Sequence, residues 1–214
     1  MDNAKRQVLR GPLDVTTSRA LVWSILREPL GRAWTTQGLG MMRLYLSADR
    51  TVRLHVWDRA LAVPGAAPVH THPWDFNSLV VVGRVFNQRF TAPEASTVVA
   101  STWNRVRMKC GVGAHIVATL PATAAQPDRC QLVEGAVETW HEGESYWQDR
   151  DEIHRSMPED GTVTIVTRRF GPDSDHAWVF WRGAADVPWK SAEPRPSTDA
   201  EVVAVAARSL EAWW

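Results

Sequence analysis

Cysteine and tyrosine are both nearly absent from this 214-residue chain: Cys110 and Cys130, and Tyr45 and Tyr146, are the only examples. Two widely separated cysteines make neither a Cys-x-x-Cys ligand pair nor a disulfide framework, which points to a reducing compartment and a cytoplasmic protein. Charge of one sign is also missing. Lys+Arg 24 against Asp+Glu 24 gives a formal net charge of zero. No block of five basic residues occurs, so nucleic-acid binding has no electrostatic footprint. No apolar run approaches the roughly 18 residues that span a bilayer, and no signal-peptide core follows Met1 to Arg6. A soluble protein without a membrane partner is expected. There is no internal repeat and no low-complexity tract.

What the chain does have is enough apolar content, 44%, to bury one core. It also has 12 tryptophans, a residue favoured where a large apolar face must offer a polar edge, and some of them are expected to line a pocket. Residues 17–27 carry helical apolar spacing after a Thr or Ser cap, closed by Pro29 and Gly31. The period then changes to two. Strands are predicted over 41–47, 51–57, 76–82, 85–90, 103–109, 114–120, 132–140, 161–169 and 177–181, the first two joined as a hairpin at 48–50. Short strands without intervening helices argue for a mainly β antiparallel sandwich or barrel. Residues 188–196 read as an irregular connector, and Thr198-Asp199-Ala200-Glu201 as a capping box opening a C-terminal helix.

The densest chemistry lies in Val69-His70-Thr71-His72-Pro73-Trp74-Asp75-Phe76. Histidines at i and i+2 project from one face of a strand, so His70 and His72 can reach the same metal ion. A third, His154, precedes the strand around 162–166. These segments resemble the cupin superfamily, small double-stranded β-helix barrels whose first motif reads Gly, His-x-His, Glu, Gly and whose second supplies another histidine. Gly65, His70, His72 and Gly83 match that pattern. Counting back from Gly83 puts Phe76 in the Glu slot, with Asp75 and Asn77 on either side facing the other way.

The resemblance implies a single jelly-roll barrel with an N-terminal and a C-terminal helix. Residues 1–40 would form a helical extension, 41–190 the barrel with added strands around 91–140, and 191–214 a connector and helix. It also implies an all-histidine site, His70, His72 and His154, for one divalent transition metal, with Fe(II) favoured and Zn, Ni or Mn as alternatives. That donor set looks like the thiol dioxygenase branch. A narrower likeness runs over roughly 41–190, through Leu54-His55, Asp58-Arg59-Ala60-Leu61, His-x-His-Pro-Trp-Asp, His154-Arg155 and Trp178-Val179-Phe180-Trp181. These resemble a group of bacterial and phage cupins without an assigned reaction. That group often has Gly-Gly-Tyr-x-Glu after the first motif, where this chain has Gly83-Arg84-Val85-Phe86-Asn87.

Other residues carry two readings each. Arg53 and His55 share a strand face with Trp57, opposite Val52, Leu54 and Val56. If that face lines the barrel, Arg53 can clamp a substrate carboxylate and His55 can orient substrate or move a proton. If it does not, the face meets solvent or a structural aspartate. Tyr146 is a proton donor or dioxygen-orienting phenol, or else a core tyrosine. Trp74 walls the pocket or packs under its loop, and Asp75 is a candidate fourth ligand or a group behind the ligands. The leading expectation is an Fe(II) dioxygenase acting on a small polar substrate. Its rivals are a redox-neutral metal-dependent isomerase, cyclase or lyase, and a non-catalytic metal-stabilised binding module. Barrels of this type often pair through edge strands, so a homodimer is expected.

Overall fold

Helix α1 (Val15–Arg27) starts at Asp14, whose carboxylate accepts the Thr17 backbone N–H at 2.9 Å. The expected Thr and Ser therefore lie inside the first turns, because the aspartate upstream meets the capping requirement first. The computed structural model of the chain describes residues 14–64, 69–93, 101–109, 128–171, 176–183 and 194–213. The strand predicted over 114–120, together with Gly65 and Cys110, lies outside the described residues.

The described residues form a mainly β fold of two antiparallel sheets packed together, with one helix near each end. The first sheet runs β13-β1-β2-β3-β11-β5-β9. Its members are β1 (Thr35–Gln37), β2 (Leu39–Tyr45), β3 (Val52–Ala62), β5 (Asp75–Val82), β9 (Ser145–Gln148), β11 (Val163–Arg169) and β13 (Arg195–Pro196). The second, β10-β4-β12-β7-β8-β6, closes on itself. It contains β4 (Val69–His70), β6 (Arg84–Thr91), β7 (Ser101–Lys109), β8 (Asp128–His141), β10 (Ile153–Pro158) and β12 (His176–Trp181).

The β2–β3 hairpin forms where expected, with Arg50 in the left-handed region at φ 59°. Residues 195–196 are not irregular. They add β13 to the edge at β1, a position where a proline removes no ladder donor that the sheet needs. Strands β1, β9 and β10 also escaped the period-two reading. β9 has only four residues, and β10 carries His154 within a strand of its own rather than ahead of β11.

The first sheet is amphipathic in an informative sense. Leu54 and Val56 of β3, Met42 and Leu44 of β2, and Val163 and Ile165 of β11 pack outward against Val22, Ile25 and Leu26 of α1. Helix α2 (Asp199–Glu211) adds Val202, Val205 and Ala206 to the same cluster. Each such side chain, fully buried, contributes about 1.5–3 kcal/mol for the larger aliphatics. α2 opens with the expected capping box, Thr198 and Glu201 bonding each other's backbone N–H. The alternate residues of these strands, Arg43, Arg53, His55, Trp57, Thr164 and Val166, therefore face the second sheet across a cavity.

Gly83 makes the turn between β5 and β6 at φ 80°. A Cβ there would lie 2.6 Å from Oγ1 of Thr162, so only glycine fits.

Candidate metal centre and its cavity

β4 is only two residues long, and His72 lies beyond its end. The backbone beyond it is tied on both sides. Thr71 N–H donates to the Trp178 carbonyl and His72 N–H to the Arg150 carbonyl, each at 2.9 Å. His70 pairs across the ladders with His154 on β10 and with Val179 on β12. This brings one ligand nitrogen from each of His70, His72 and His154 within 4.8 Å of one another. Their ring centroids lie 4.7, 4.9 and 5.0 Å apart.

Nδ1 of His154 is 3.1 Å from the Glu152 carbonyl oxygen. A carbonyl only accepts, so Nδ1 carries the proton and Nε2 remains as the ligand atom. Glu152 is itself held by Arg89 and by Nε2 of Gln148, whose side-chain carbonyl takes an Asn87 amide proton at 3.0 Å. Burial, then the neighbouring His70, pushes the pKa of His154 down to about 3, against the opposing pull of the Glu152 carbonyl. His72 is driven well below the usual imidazole value by burial, then by His70 and His154. Both rings are thus neutral at physiological pH, the form that binds metals.

The donor set fits one ion. Nitrogens about 2.1 Å from a common metal lie no more than about 4.2 Å apart, which is compatible with three ligand atoms that all lie within 4.8 Å of one another. Asp75 is not in the group. Its Oδ1 accepts the backbone N–H of Arg150 at 3.0 Å, behind the loop that carries His72. Phe76, in the slot where a carboxylate was sought, sets its ring edge-on to His72 at 4.9 Å and lies 6.2 Å from His154.

The three histidines open onto a cavity of about 140 Å³. Sequence-predicted residues Arg53, His55, Trp74 and Tyr146 all line it, so the solvent-facing alternative for the Arg53 face does not hold. Trp74 lies between the histidines and Arg53, 5.7 Å from the His72 ring and 5.4 Å from the Arg53 guanidinium carbon. Tyr146 stacks on Trp140 and meets Phe76 edge-on, and burial raises the pKa of its phenol despite the nearby Ser78 and Ser156 hydroxyls. Burial, then Arg53 and Arg43, drives His55 well below the usual range, and its Nε2 has no partner among the described residues.

Sequence reasoning passed over Arg43. It sits opposite His55 in the β2–β3 ladder, and the alternation Met41, Arg43, Tyr45 was the available signal. Arg168, also missed, packs against Trp74 and Phe170 and donates to the Arg50 carbonyl.

No protein-family model and no curated protein matches the chain. No helix among the described residues is long and apolar enough to cross a membrane.

Proposed function

We propose that this chain is a cupin-type metal-dependent enzyme, specifically a mononuclear non-haem Fe(II) dioxygenase acting on a small polar substrate. The observation that carries this reading is the ligand group itself: three imidazoles, two of them held neutral by burial, at the wall of a cavity and with no carboxylate among them. Such a set leaves a divalent ion its full charge for an incoming ligand. His70, His72 and His154 would hold the ion. Fe(II) there would relay electrons from a closed-shell substrate to dioxygen and so lift the spin barrier between them, with the substrate as the net reductant. The chain's own residues exclude water with Trp74 and Phe76, orient substrate from Arg53, and keep a protonated phenol, Tyr146, within the same cavity. Balanced charge and scarce cysteine fit a reducing compartment and no nucleic-acid partner.

One observation favours a second reading. His55 is a neutral base lining the cavity with Nε2 unpartnered among the described residues. A redox-neutral isomerase, cyclase or lyase would use it to move a proton.

Metal analysis of protein purified without added metal, followed by oxygen uptake with a panel of small thiols and amino acids, separates the two. Bound iron with substrate-dependent uptake supports the dioxygenase. Stoichiometric zinc with no uptake under any condition removes it. A His154→Ala variant retaining full metal content would overturn the ligand assignment.

A further inference from the structure

We propose that Glu152 is a positioning residue for the metal site: its carboxylate braces the turn between β9 and β10, and the carbonyls of that turn hold two of the three histidines. The proposal rests on the reading of those histidines as ligands, but the bracing itself is measurable without metal.

Residues 149–152 join β9 to β10, and none of them lines the cavity. The turn closes with the Glu152 N–H on the Asp149 carbonyl at 3.1 Å. Its Arg150 carbonyl takes the backbone N–H of His72, and its Glu152 carbonyl lies 3.1 Å from Nδ1 of His154. One short turn thus fixes the backbone of one ligand and the ring of another. For His154 the contact also selects the tautomer, because Nδ1 must keep the proton if Nε2 is to bind a metal.

Groups carried on a loop are held less precisely than groups on strands. The Glu152 side chain supplies the missing hold. Its Oε2 accepts the Asp149 N–H at 3.2 Å, which ties the two ends of the turn, and Nε2 of Gln148 at 2.8 Å. Its Oε1 takes the Arg89 guanidinium. Gln148 belongs to β9 of the first sheet and Arg89 to β6 of the second, so the turn is pinned to both sheets at once. Arg89 also stands opposite His154 in the β6–β10 ladder. Behind the carboxylate, Gln148 and Asn87 are fully buried and bonded to each other at 3.0 Å. A buried polar network whose members are satisfied holds a single geometry. The turn's own closing bond uses backbone atoms only, so what the carboxylate adds is a fixed attitude toward the histidines. Asp75 holds the same turn at the Arg150 N–H, so loss of Glu152 should be felt most at the His154 end.

The test labels the full chain with heavy nitrogen at histidine and reads the ring nitrogens by NMR, metal-free and near neutral pH. The His154 signals, assigned by their loss in His154→Gln, should show one tautomer with the proton on Nδ1. Glu152→Ala and Gln148→Met should each populate both tautomers. Both should also weaken zinc binding, measured against a chelator dye, by roughly tenfold or more. Asn104→Ala is the control, since it loses a bond to the Gly183 carbonyl away from the cavity wall. It should lower the melting temperature and leave tautomer and zinc affinity unchanged, which separates positioning from stability. Should the buried Gln148→Met fail to fold, Glu152→Ala carries the test, its side chain being 27% exposed. A single His154 tautomer in Glu152→Ala would overturn the proposal, as would losses no larger than those of Asn104→Ala. Unchanged zinc affinity in Glu152→Ala overturns it if His154→Ala loses its zinc. If His154→Ala keeps its zinc, the ligand reading falls instead.

Discussion

Asp75 holds Arg150 by accepting its backbone N–H at 3.0 Å, and the carbonyl of the same Arg150 takes the backbone N–H of His72. An acid next to the ligand pair in sequence is therefore linked to the ligand backbone through one intervening residue. Asp75→Ala should weaken metal affinity by roughly ten- to a hundredfold, the usual effect of losing a group that orients a ligand. Asp75→Asn keeps an acceptor oxygen and should retain most of the affinity. Competition against a chelator dye measures both; a direct ligand would lose affinity in either variant.

Acid sensitivity of the metal-free protein should follow from its buried imidazoles. The unfolded-state value near 6.5 falls to about 3 for folded His154, and His72 and His55 are lowered too. Between those values the unfolded chain binds protons that the native chain refuses, so stability rises with pH across this window. The contribution is complete above about 6.5 and is lost as pH falls toward the folded values. Denaturant midpoints measured over this range should drop steadily on acidification. A His154→Gln variant should show a shallower slope, by up to one proton.

The two tyrosines should titrate on opposite sides of 10.0. For Tyr45, burial raises the pKa but Arg43, Arg53, Arg168 and Arg50 outweigh it, and the net shift is downward. For Tyr146 burial dominates and the shift is upward. Phenolate absorbance against pH should resolve two steps, and Tyr45→Phe should remove the lower one. Loss of the upper step instead would reverse the assignment.

Gly83→Ala should destabilise the fold by at least about 1–3 kcal/mol, the range for a strained backbone position. The added carbon would also meet Thr162 at 2.6 Å. Thermal melts test this, and pairing it with Thr162→Ser should recover none of the backbone part.

Much of this was legible before the structure. Period-two alternation marked β3 and β11, and His-x-His spacing singled out His70 and His72. What could not be read was which face of a strand would turn inward. Leu54 and Val56 look like the lining of a barrel, yet they pack against α1 and α2, and the polar residues between them face the cavity. The sequence pattern is the same for either arrangement; only the presence of a helix layer decides between them. β4, two residues long and held by ladder partners distant in sequence, carries no local signal of its own. Arg43 was passed over for a related reason. A lone charge between apolar neighbours resembles a solvated edge until its partner across the hairpin, His55, is known.

The helix layer against the first sheet also separates two duties within one set of strands. The larger aliphatic cluster of this sheet lies on the outward side against α1 and α2, while the inward side keeps a smaller buried cluster that includes Trp74, Phe76, Tyr146 and Val166. The same scaffold could in this way change its chemistry through Arg43, Arg53, His55 and Thr164 while the helices keep it folded.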